Sequence, residues 1–262
     1  MPRIEARLVP VVTDLARGLR ELGIPFGIVG ALVPELLLDA RPRRMTNDAD
    51  AIVVVQSLAA FDVLKDRLAD YGFTRTRLPH RMRHRDGGLM DILPFSEAIA
   101  PGGRLQLEEG FVFNMAGLSH VVPNAVSISI EGGPTLPLAP LPLYVLLKLV
   151  AFSDRKEPKD LASVLHCLEH YLEDDERRYG VEHRGEGVPF EYTCTYLLGV
   201  DAEPFLDEPL SQTVTAVLGR FSDPDAEVVG IVAREQGRFL VEDEHRIEIF
   251  ELFRWYRLGA GL

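Results

Sequence analysis

The chain has 262 residues, of which 47% are hydrophobic, and a formal net charge of −12. Its length and apolar content allow one large domain or two modest ones, and its acidic balance argues against broad nucleic-acid binding, which needs a basic surface. No apolar run reaches membrane-spanning length, the N-terminus lacks a signal-peptide profile, and the two cysteines lie far apart. These features predict a soluble cytoplasmic protein with neither a disulfide framework nor a membrane partner.

The first part of the chain is predicted to alternate helices and strands. Apolar residues at helical spacing predict a helix over 10–22, and Gly23 ends it. A short apolar strand over 26–29 then leads through Gly30 into a second predicted helix over 31–38.

The next strand and helix have clearer boundary residues. The near-continuous Ile and Val of 50–55 predict a buried strand. Ser57 is suited to cap the N-terminus of a helix over 58–71, and Gly72 is suited to end it.

A hairpin is predicted over 80–94. Its turn is Asp86-Gly87-Gly88, a strong local hairpin pattern. Its second strand is closed by Pro94 and contains one carboxylate, Asp91, in an otherwise apolar run. Further short strands follow.

From about residue 140 the pattern becomes mainly helical. Periodicity predicts helices over 141–153, 159–173, 207–220, 224–236 and 242–258, and the glycine-rich stretch 180–187 predicts a loop. The predicted fold class is therefore α+β. A mixed sheet flanked by helices over 1–140 is expected to precede a mainly helical region over 141–262.

Three aspartates stand on the predicted strands. Asp48 and Asp50 open the strand before Val53, and side chains two residues apart on a strand share one face. Asp91 lies on a strand that can pair with it. Neighbouring carboxylates repel each other, so the arrangement favours a cation, and Mg²⁺ prefers oxygen ligands and usually also binds substrate phosphates. Solvated turn residues give the same Asp-x-Asp pattern in an acidic chain, so the pair alone does not distinguish a metal site from a turn.

Two further features suit a phosphate ligand. Gly30 lies between a strand and a helix, where backbone amides can bind a phosphate. Lys148 interrupts an otherwise apolar helix, where a lysine ordinarily extends its amine to the helix edge. Beside a carboxylate–metal site, the same amine would face a triphosphate. The polar residues Asp154, Arg155, Lys159 and Asp160 follow.

In this order, these segments resemble the DNA-polymerase-β-type nucleotidyltransferases and, more narrowly, the AbiEii/AbiGii toxin family. The resemblance covers roughly residues 20–170. The matching segments are Phe26–Ala31, Arg44–Asp50, Met90–Leu93, Leu147–Arg155 and Lys159–Leu161. The resemblance implies a polymerase-β-like nucleotidyltransferase core over 1–140, with the helical region over 141–262 completing the active-site cleft.

The resemblance also implies roles for individual residues. Asp48, Asp50 and Asp91 would be the metal ligands, and Lys148 would complete the catalytic set by facing the triphosphate. The nucleotide-binding residues would be Gly30, Ala31, Thr46, Arg155 and Asp160. The family usually has Gly-Gly or Gly-Ser where this chain has Gly30-Ala31. A serine hydroxyl is therefore absent, and weaker or altered nucleotide binding is expected.

The implied reaction moves a nucleotide from an NTP to a hydroxyl acceptor with Mg²⁺ or Mn²⁺ as cofactor. The acceptor would be a tRNA or a protein. The protein would be the toxin of a toxin–antitoxin or phage-defence module, with a cognate antitoxin as partner. The acidic balance disfavours tRNA unless a basic cluster forms the docking surface. That cluster is Arg75, Arg77, Arg81, Arg83 and Arg85.

Two other functions fit the same residues. A small-molecule nucleotidyltransferase, as in antibiotic resistance, would present an acidic pocket to a cationic acceptor such as an aminoglycoside. A non-catalytic nucleotide- or partner-binding module would bind a nucleotide without releasing pyrophosphate, and the alanine at position 31 favours it.

A zinc site is a further alternative on the helical side. His166, Cys167 and His170 share one predicted helix, with the histidines four residues apart. No companion Cys-x-x-Cys or His-Glu-x-x-His accompanies them, so an amphipathic helix is the favoured interpretation.

Overall fold

The computed structural model describes residues 4–40, 48–108, 110–172, 175–183, 187–236 and 243–262. The chain divides into two compact units, Met1–Pro140 and Leu141–Leu262. Within the described ranges, no helix is long and apolar enough to cross a membrane.

The first unit contains three helices and nine strands among its described residues. In chain order they are α1 (Leu8–Glu21), β1 (Phe26–Val29), α2 (Leu32–Leu37), β2 (Asp48–Val54), α3 (Leu58–Arg67), β3 (Phe73–Arg75), β4 (Arg81–His84), β5 (Leu89–Phe95), β6 (Arg104–Glu108), β7 (Phe111–Asn114), β8 (Val126–Ser129) and β9 (Thr135–Leu138). Seven strands form one sheet in the order β3-β4-β5-β2-β1-β9-β8, and β6 pairs with β7 separately.

The large sheet is mixed, as predicted. Strand β2 pairs antiparallel with β1 and parallel with β5. Buried residues of α1, α2 and α3 join those of the central strands in one hydrophobic core. A buried central strand explains the near-continuous Ile and Val of β2, since a strand covered on both faces has no polar side.

Helix α1 presents one apolar face to this core. Val11, Leu15 and Leu19 are fully buried at helical spacing. Asp14 on the same helix contacts His84 of β4, with Oδ2 3.1 Å from Nε2 of the buried imidazole. The helix is therefore fixed to the sheet by apolar packing and by one buried polar contact.

Helix α3 begins and ends at the predicted residues. The Ser57 hydroxyl accepts a hydrogen bond from the Ala60 amide at 3.0 Å, which satisfies one of the open donors of the first turn. A 3₁₀ turn over Leu68–Tyr71 follows, and Gly72 ends it with a positive φ of 90°. The prediction of one helix over 58–71 is therefore met by an α-helix with a 3₁₀ end.

One expected strand boundary was wrong. Pro94 does not close β5 but lies within it, opposite Val53 of β2. Strand β4 pairs only with residues 89–91, so it leaves the last part of β5 without a partner on that side. A proline that lacks an N–H is tolerated there, because no neighbouring strand needs its hydrogen bond.

The second unit is helical in its described residues. Its α-helices are α4 (Leu141–Arg155), α5 (Pro158–His170), α6 (Asp175–His183), α7 (Thr193–Ala202), α8 (Glu208–Leu218), α9 (Glu227–Glu235) and α10 (Asp243–Gly259). The five predicted helices are confirmed within a few residues. The predicted loop over 180–187 was wrong at its start, because Gly180 lies inside α6.

Helices α7 and α10 pack closely through two glycines. A Cβ atom at Gly199 would lie 2.2 Å from the Tyr256 carbonyl oxygen, and one at Gly259 would lie 2.0 Å from the Tyr196 carbonyl oxygen. Any larger residue would push the two backbones apart, so this contact fixes how α7 packs against α10.

Candidate active site

The three predicted metal-binding aspartates lie on two paired strands of the first unit. Asp48 and Asp50 are two residues apart on β2, and Asp50 lies directly opposite Asp91 on the parallel strand β5. Neighbouring strands are about 4.8 Å apart and alternate residues share a face. All three side chains are partly exposed. The sheet thus carries the three carboxylates on one face, at the end where β2 begins.

Arg81 binds two of these carboxylates. It lies opposite Asp91 in the antiparallel β4–β5 pair. Its Nε donates to Asp91 Oδ1 at 2.6 Å, and its Nη2 donates to Asp91 Oδ2 at 2.7 Å. The same Nη2 reaches Asp48 Oδ2 at 3.3 Å. The hydrogen bonds with Asp91 raise the pKa of the Arg81 guanidinium above its ordinary value.

Gly30 is held against the third carboxylate. Its φ is +73°, which favours glycine, and a Cβ built there would lie 1.9 Å from Asp50 Oδ2. Only a residue without a side chain lets the β1–α2 connection pass this close to the carboxylate. The requirement for glycine here therefore follows directly from the position of Asp50.

The predicted phosphate loop has a simple geometry. Ala31 precedes the six-residue helix α2, and its own side chain caps nothing. The Val33 amide is used internally, donating to the Gly30 carbonyl at 3.1 Å. Binding of a phosphate by Gly30 and Ala31 stays a prediction. Thr46 lies outside the described residues.

His80 also lies near Asp91. Its Nε2 is 4.0 Å from Asp91 Oδ2, and its ring packs edge-on against Phe113 with centroids 5.1 Å apart. Burial lowers the pKa of His80, although the Asp91 charge opposes the shift. Burial of this imidazole therefore disfavours its charged form next to the carboxylates.

The Lys65 side chain anchors the segment that carries His80 and Arg81. The Lys65 ammonium is nearly buried and donates to the Pro79 carbonyl oxygen at 3.1 Å. It also forms an ion pair with Asp62 at 2.9 Å. A buried ammonium that binds the residue just before His80 limits the movement of this segment.

The predicted residues of the second unit form a cluster of their own. Asp160 is fully buried, and it accepts hydrogen bonds from Lys148 at 3.2 Å and from Arg155 at 2.6 and 2.5 Å. Burial alone would raise the pKa of Asp160, but Arg155 and Lys148 outweigh it and hold the pKa below its ordinary value. Asp160 is thus placed to orient the two cations, whose side chains are 17% and 44% exposed.

The first-unit carboxylates suit a hard divalent cation. Asp48, Asp50 and Asp91 supply only oxygen ligands from rigid strands, the set that Mg²⁺ and Mn²⁺ prefer. A guanidinium cation already lies between two of them. The three residues therefore fit the predicted metal, with Asp48 and Asp50 on one strand and Asp91 on the next.

Two site residues were not predicted as such from the sequence. Arg81 was assigned to a basic cluster, and His80 was considered as a substrate contact but interpreted as an exposed strand position. The hairpin turn at Asp86-Gly87-Gly88 fixes the pairing of β4 with β5, so counting back from it could have placed Arg81 opposite Asp91.

Most of the basic cluster is neutralised. Three of its five arginines are ion-paired with aspartates: Arg75 with Asp62 and Asp66, Arg81 with Asp48 and Asp91, and Arg85 with Asp14. Among the residues that the structure describes, Arg77 and Arg83 have no carboxylate partner. The cluster is therefore much less basic than its sequence indicates.

No protein-family model and no curated protein matches the chain. Solved structures that match the chain include an antigenic nucleotidyltransferase-like protein from Paracoccidioides brasiliensis, 19% identical over 82% of this chain and 95% of that chain, with a TM-score of 0.43. Another is a putative nucleotidyltransferase from H. pylori, 12% identical over 98% and 94%, with a TM-score of 0.41. A third is the antibiotic-resistance factor ANT(2'')-Ia, 13% identical over 84% and 95%, with a TM-score of 0.38. Similarities this distant identify neither a substrate nor a reaction.

Proposed function

We propose that the protein is a Mg²⁺- or Mn²⁺-dependent nucleotidyltransferase that transfers a nucleotide from an NTP to a hydroxyl acceptor and releases pyrophosphate. One observation carries the proposal: Asp50 and Asp91 lie in register on paired parallel strands, with Asp48 on the same face. Three neighbouring carboxylates repel one another and destabilise the fold unless cations offset them, and Arg81 supplies one positive charge against these three negative charges.

In this proposal each group has a separate task. The divalent cation, when bound, stabilises charge on the α-phosphate and makes the acceptor hydroxyl easier to deprotonate. Asp48, Asp50 and Asp91 hold it and orient the attacking oxygen. Gly30 lets the backbone approach Asp50. A role of Lys148 and Arg155, which Asp160 orients, in offsetting triphosphate charge stays an expectation from the resemblance.

The charge distribution favours a neutral or cationic acceptor over RNA. The net charge is −12, and the arginines that could have docked a tRNA are mostly ion-paired with aspartates. A polyanion therefore finds few available cations on this surface, whereas an amine-bearing small molecule is attracted to it. A small-molecule acceptor is thus the second candidate that a specific observation supports.

The resemblance to the AbiEii/AbiGii family supports a further proposal about biological role. In this proposal the protein would be the toxin of a toxin–antitoxin or phage-defence module, with tRNA or a protein as acceptor and an antitoxin as partner. Of these two acceptors the charge argument favours the protein. Growth arrest on expression, relieved by a neighbouring reading frame, would support the toxin role. Antibiotic resistance on expression would support the small-molecule role.

A labelling experiment tests the reaction. Purified protein is incubated with Mg²⁺ or Mn²⁺, each α-labelled NTP in turn, and one of three acceptor pools: aminoglycosides, total tRNA or a protein extract. Label is expected on one pool and is lost in Asp48→Asn and Asp91→Asn. The control variant Asp70→Asn, which removes an exposed carboxylate from the 3₁₀ turn after α3, is expected to keep full activity. Transfer that persists in both site variants would reject the proposal.

A further inference from the structure

We propose that Arg81 is a built-in counter-ion of the aspartate cluster and that its guanidinium must leave the carboxylates before the divalent cation can bind. The proposal rests on the function proposed above, and it makes Arg81 a positioning residue that sets metal affinity.

The contacts of Arg81 coincide with the predicted metal ligands. Its guanidinium engages both oxygens of Asp91, at 2.6 and 2.7 Å, and also reaches Asp48 at 3.3 Å. A fork that binds one carboxylate in this way forms the strongest class of side-chain hydrogen bond. Two of the three ligands therefore already share a cation that belongs to the chain.

The two cations cannot share these oxygens. Mg²⁺ needs metal–oxygen distances of about 2.0–2.1 Å and near-octahedral directions, so it would use the lone pairs that now accept from Arg81. It would also repel a guanidinium held within a few ångströms. Metal binding thus requires the departure of Arg81 from these carboxylates.

Arg81 has the freedom to leave. Its side chain is 27% exposed, and it lies on β4, whose pairing with β5 covers only three residues. The neighbouring Arg83 is exposed on the same face of β4, and no carboxylate within the described ranges pairs with it. Arg83 therefore offers a control with the same charge, strand and face but without contact with the cluster.

Titration of Mn²⁺, followed by the electron paramagnetic resonance signal of the free ion, tests the exchange without any turnover. Arg81→Gln is expected to bind Mn²⁺ about tenfold more tightly than wild type or more, because a charge-assisted competitor is gone. Arg83→Gln is expected to stay close to wild type. Arg81→Lys, which keeps the charge but cannot form the fork, is expected to lie between them.

The experiment distinguishes a failure of the Arg81 exchange from a failure of the proposed metal site. If Arg81→Gln binds Mn²⁺ no more tightly than Arg83→Gln, while urea unfolding shows both to be folded, the exchange is refuted and the metal site survives. If no protein of the set binds Mn²⁺, the metal site of the proposed function is refuted and the exchange with it.

A different cluster supports a second, independent inference: the last turn of α5 forms a site for a zinc-like divalent ion. His166, Glu169 and His170 lie on this turn, and their ligand atoms all come within 4.8 Å of one another. Residues at i, i+3 and i+4 share a helix face. Two imidazoles and a carboxylate are a ligand set that zinc takes, with a fourth position left for water or another ligand.

The surroundings of this turn favour a cation. The C-terminal end of a helix carries partial negative charge, and Gln236 donates to Glu169 Oε1 at 3.3 Å, which orients that carboxylate. Cys167 is not one of the proposed ligands. It is fully buried, and burial raises the pKa of its thiol. The site lies between about 9 Å (His166) and about 15 Å (His170) along α5 from Asp160, at 1.5 Å per residue, so it is separate from the lysine–arginine cluster.

Zinc and cobalt titrations of the chelator-treated full chain test this site. They are made in an Asp91→Asn background, which weakens the predicted metal site of the first unit. One equivalent is expected to bind, and His170→Ala or Glu169→Gln is expected to weaken binding about tenfold or more. His120→Ala removes a histidine of the first unit and serves as the control. Equal affinity in His170→Ala and His120→Ala, or a thiolate-to-cobalt charge-transfer band, would refute the assignment.

Discussion

The carboxylate of Asp50 leaves no room for a side chain at position 30, so this position requires glycine. Replacing it with alanine adds a Cβ 1.9 Å from Asp50 Oδ2 at a φ of +73°. Gly87→Ala is a matched control, because Gly87 has a φ of +91° and nothing within 4 Å of its built Cβ. Both variants carry the backbone penalty of about 1–2 kcal/mol, and only Gly30→Ala also displaces Asp50.

We therefore expect Gly30→Ala to lower the free energy of unfolding by about 2 kcal/mol more than Gly87→Ala. It should also weaken Mn²⁺ binding, whereas Gly87→Ala should not. Urea unfolding and Mn²⁺ titration of the two variants measure both effects. Equal losses in the two variants would show that the contact with Asp50 does not constrain position 30.

Asp160 gives a prediction with a defined direction in pH. Its pKa lies below the ordinary value of 3.8 because Arg155 and Lys148 outweigh the effect of burial. Its contribution to stability is therefore complete above about pH 5 and is lost as the pH falls through the lowered pKa. Asp160→Asn removes the charge at every pH and is expected to cost up to about 3 kcal/mol near pH 7.

The difference in unfolding free energy between wild type and Asp160→Asn should then shrink as the pH is lowered from 5 towards 3. Urea titrations at several pH values measure it. Asp154→Asn, a neighbouring acidic residue on α4 with an exposed side chain, serves as the control. A difference that stays constant over this range would contradict the charged role of Asp160.

At the residue scale, the sequence pointed to candidate residues but not to the contacts between their side chains. The aspartates were chosen as candidate metal ligands because an Asp-x-Asp pair precedes an Ile/Val strand and a lone Asp lies in an apolar strand, and that role stays a prediction. Arg81 was not linked to them, because which arginine faces Asp91 depends on the β4–β5 register. A shift of one residue would place Met82 there instead.

At the scale of elements, burial decided which helices could be predicted. Helix α1 has one apolar face and was found from its periodicity. Helix α7 was missed because Thr193, Thr195 and Gly199 are buried together with its leucines, so no polar face reveals the 3.6-residue period. Helix α6 was missed for the opposite reason, since its sequence is mostly polar and ends near several glycines.

The α7–α10 contact yields a prediction about these elements. Gly199→Ala would place a methyl group 2.2 Å from the Tyr256 carbonyl oxygen, so the helices must separate, and we expect a loss of about 3 kcal/mol. Gly180→Ala on α6 meets nothing within 4 Å and should be neutral or stabilise by up to about 1 kcal/mol. Thermal and urea unfolding measure both. A Gly199→Ala protein as stable as wild type would mean that α7 and α10 can repack at no cost.

At the scale of the whole molecule, the net charge constrains the acceptor. Of 262 residues, 40 are acidic and 28 are Lys or Arg, and the arginines of the sequence-predicted docking surface are largely paired with aspartates. The sequence could give the total charge but not this pairing, because the aspartates that neutralise Arg75 and Arg85 come from helices α3 and α1. Long-range attraction is therefore expected for cations and repulsion for RNA.

Salt dependence turns this expectation into a measurement. Charges interact over about 30 Å at 0.01 M salt and about 10 Å at 0.1 M. With Mg²⁺ and NTP saturating, the KM for an aminoglycoside acceptor should rise several-fold across this range, and the KM for a neutral polyol should not change. An RNA docked on basic residues would show the loss of affinity with salt that counterion release produces, and Arg77→Gln with Arg83→Gln would reduce that slope. That result would reverse the order of acceptors argued from charge. It would show that two arginines without a carboxylate partner in the described part of the chain outweigh its acidic balance.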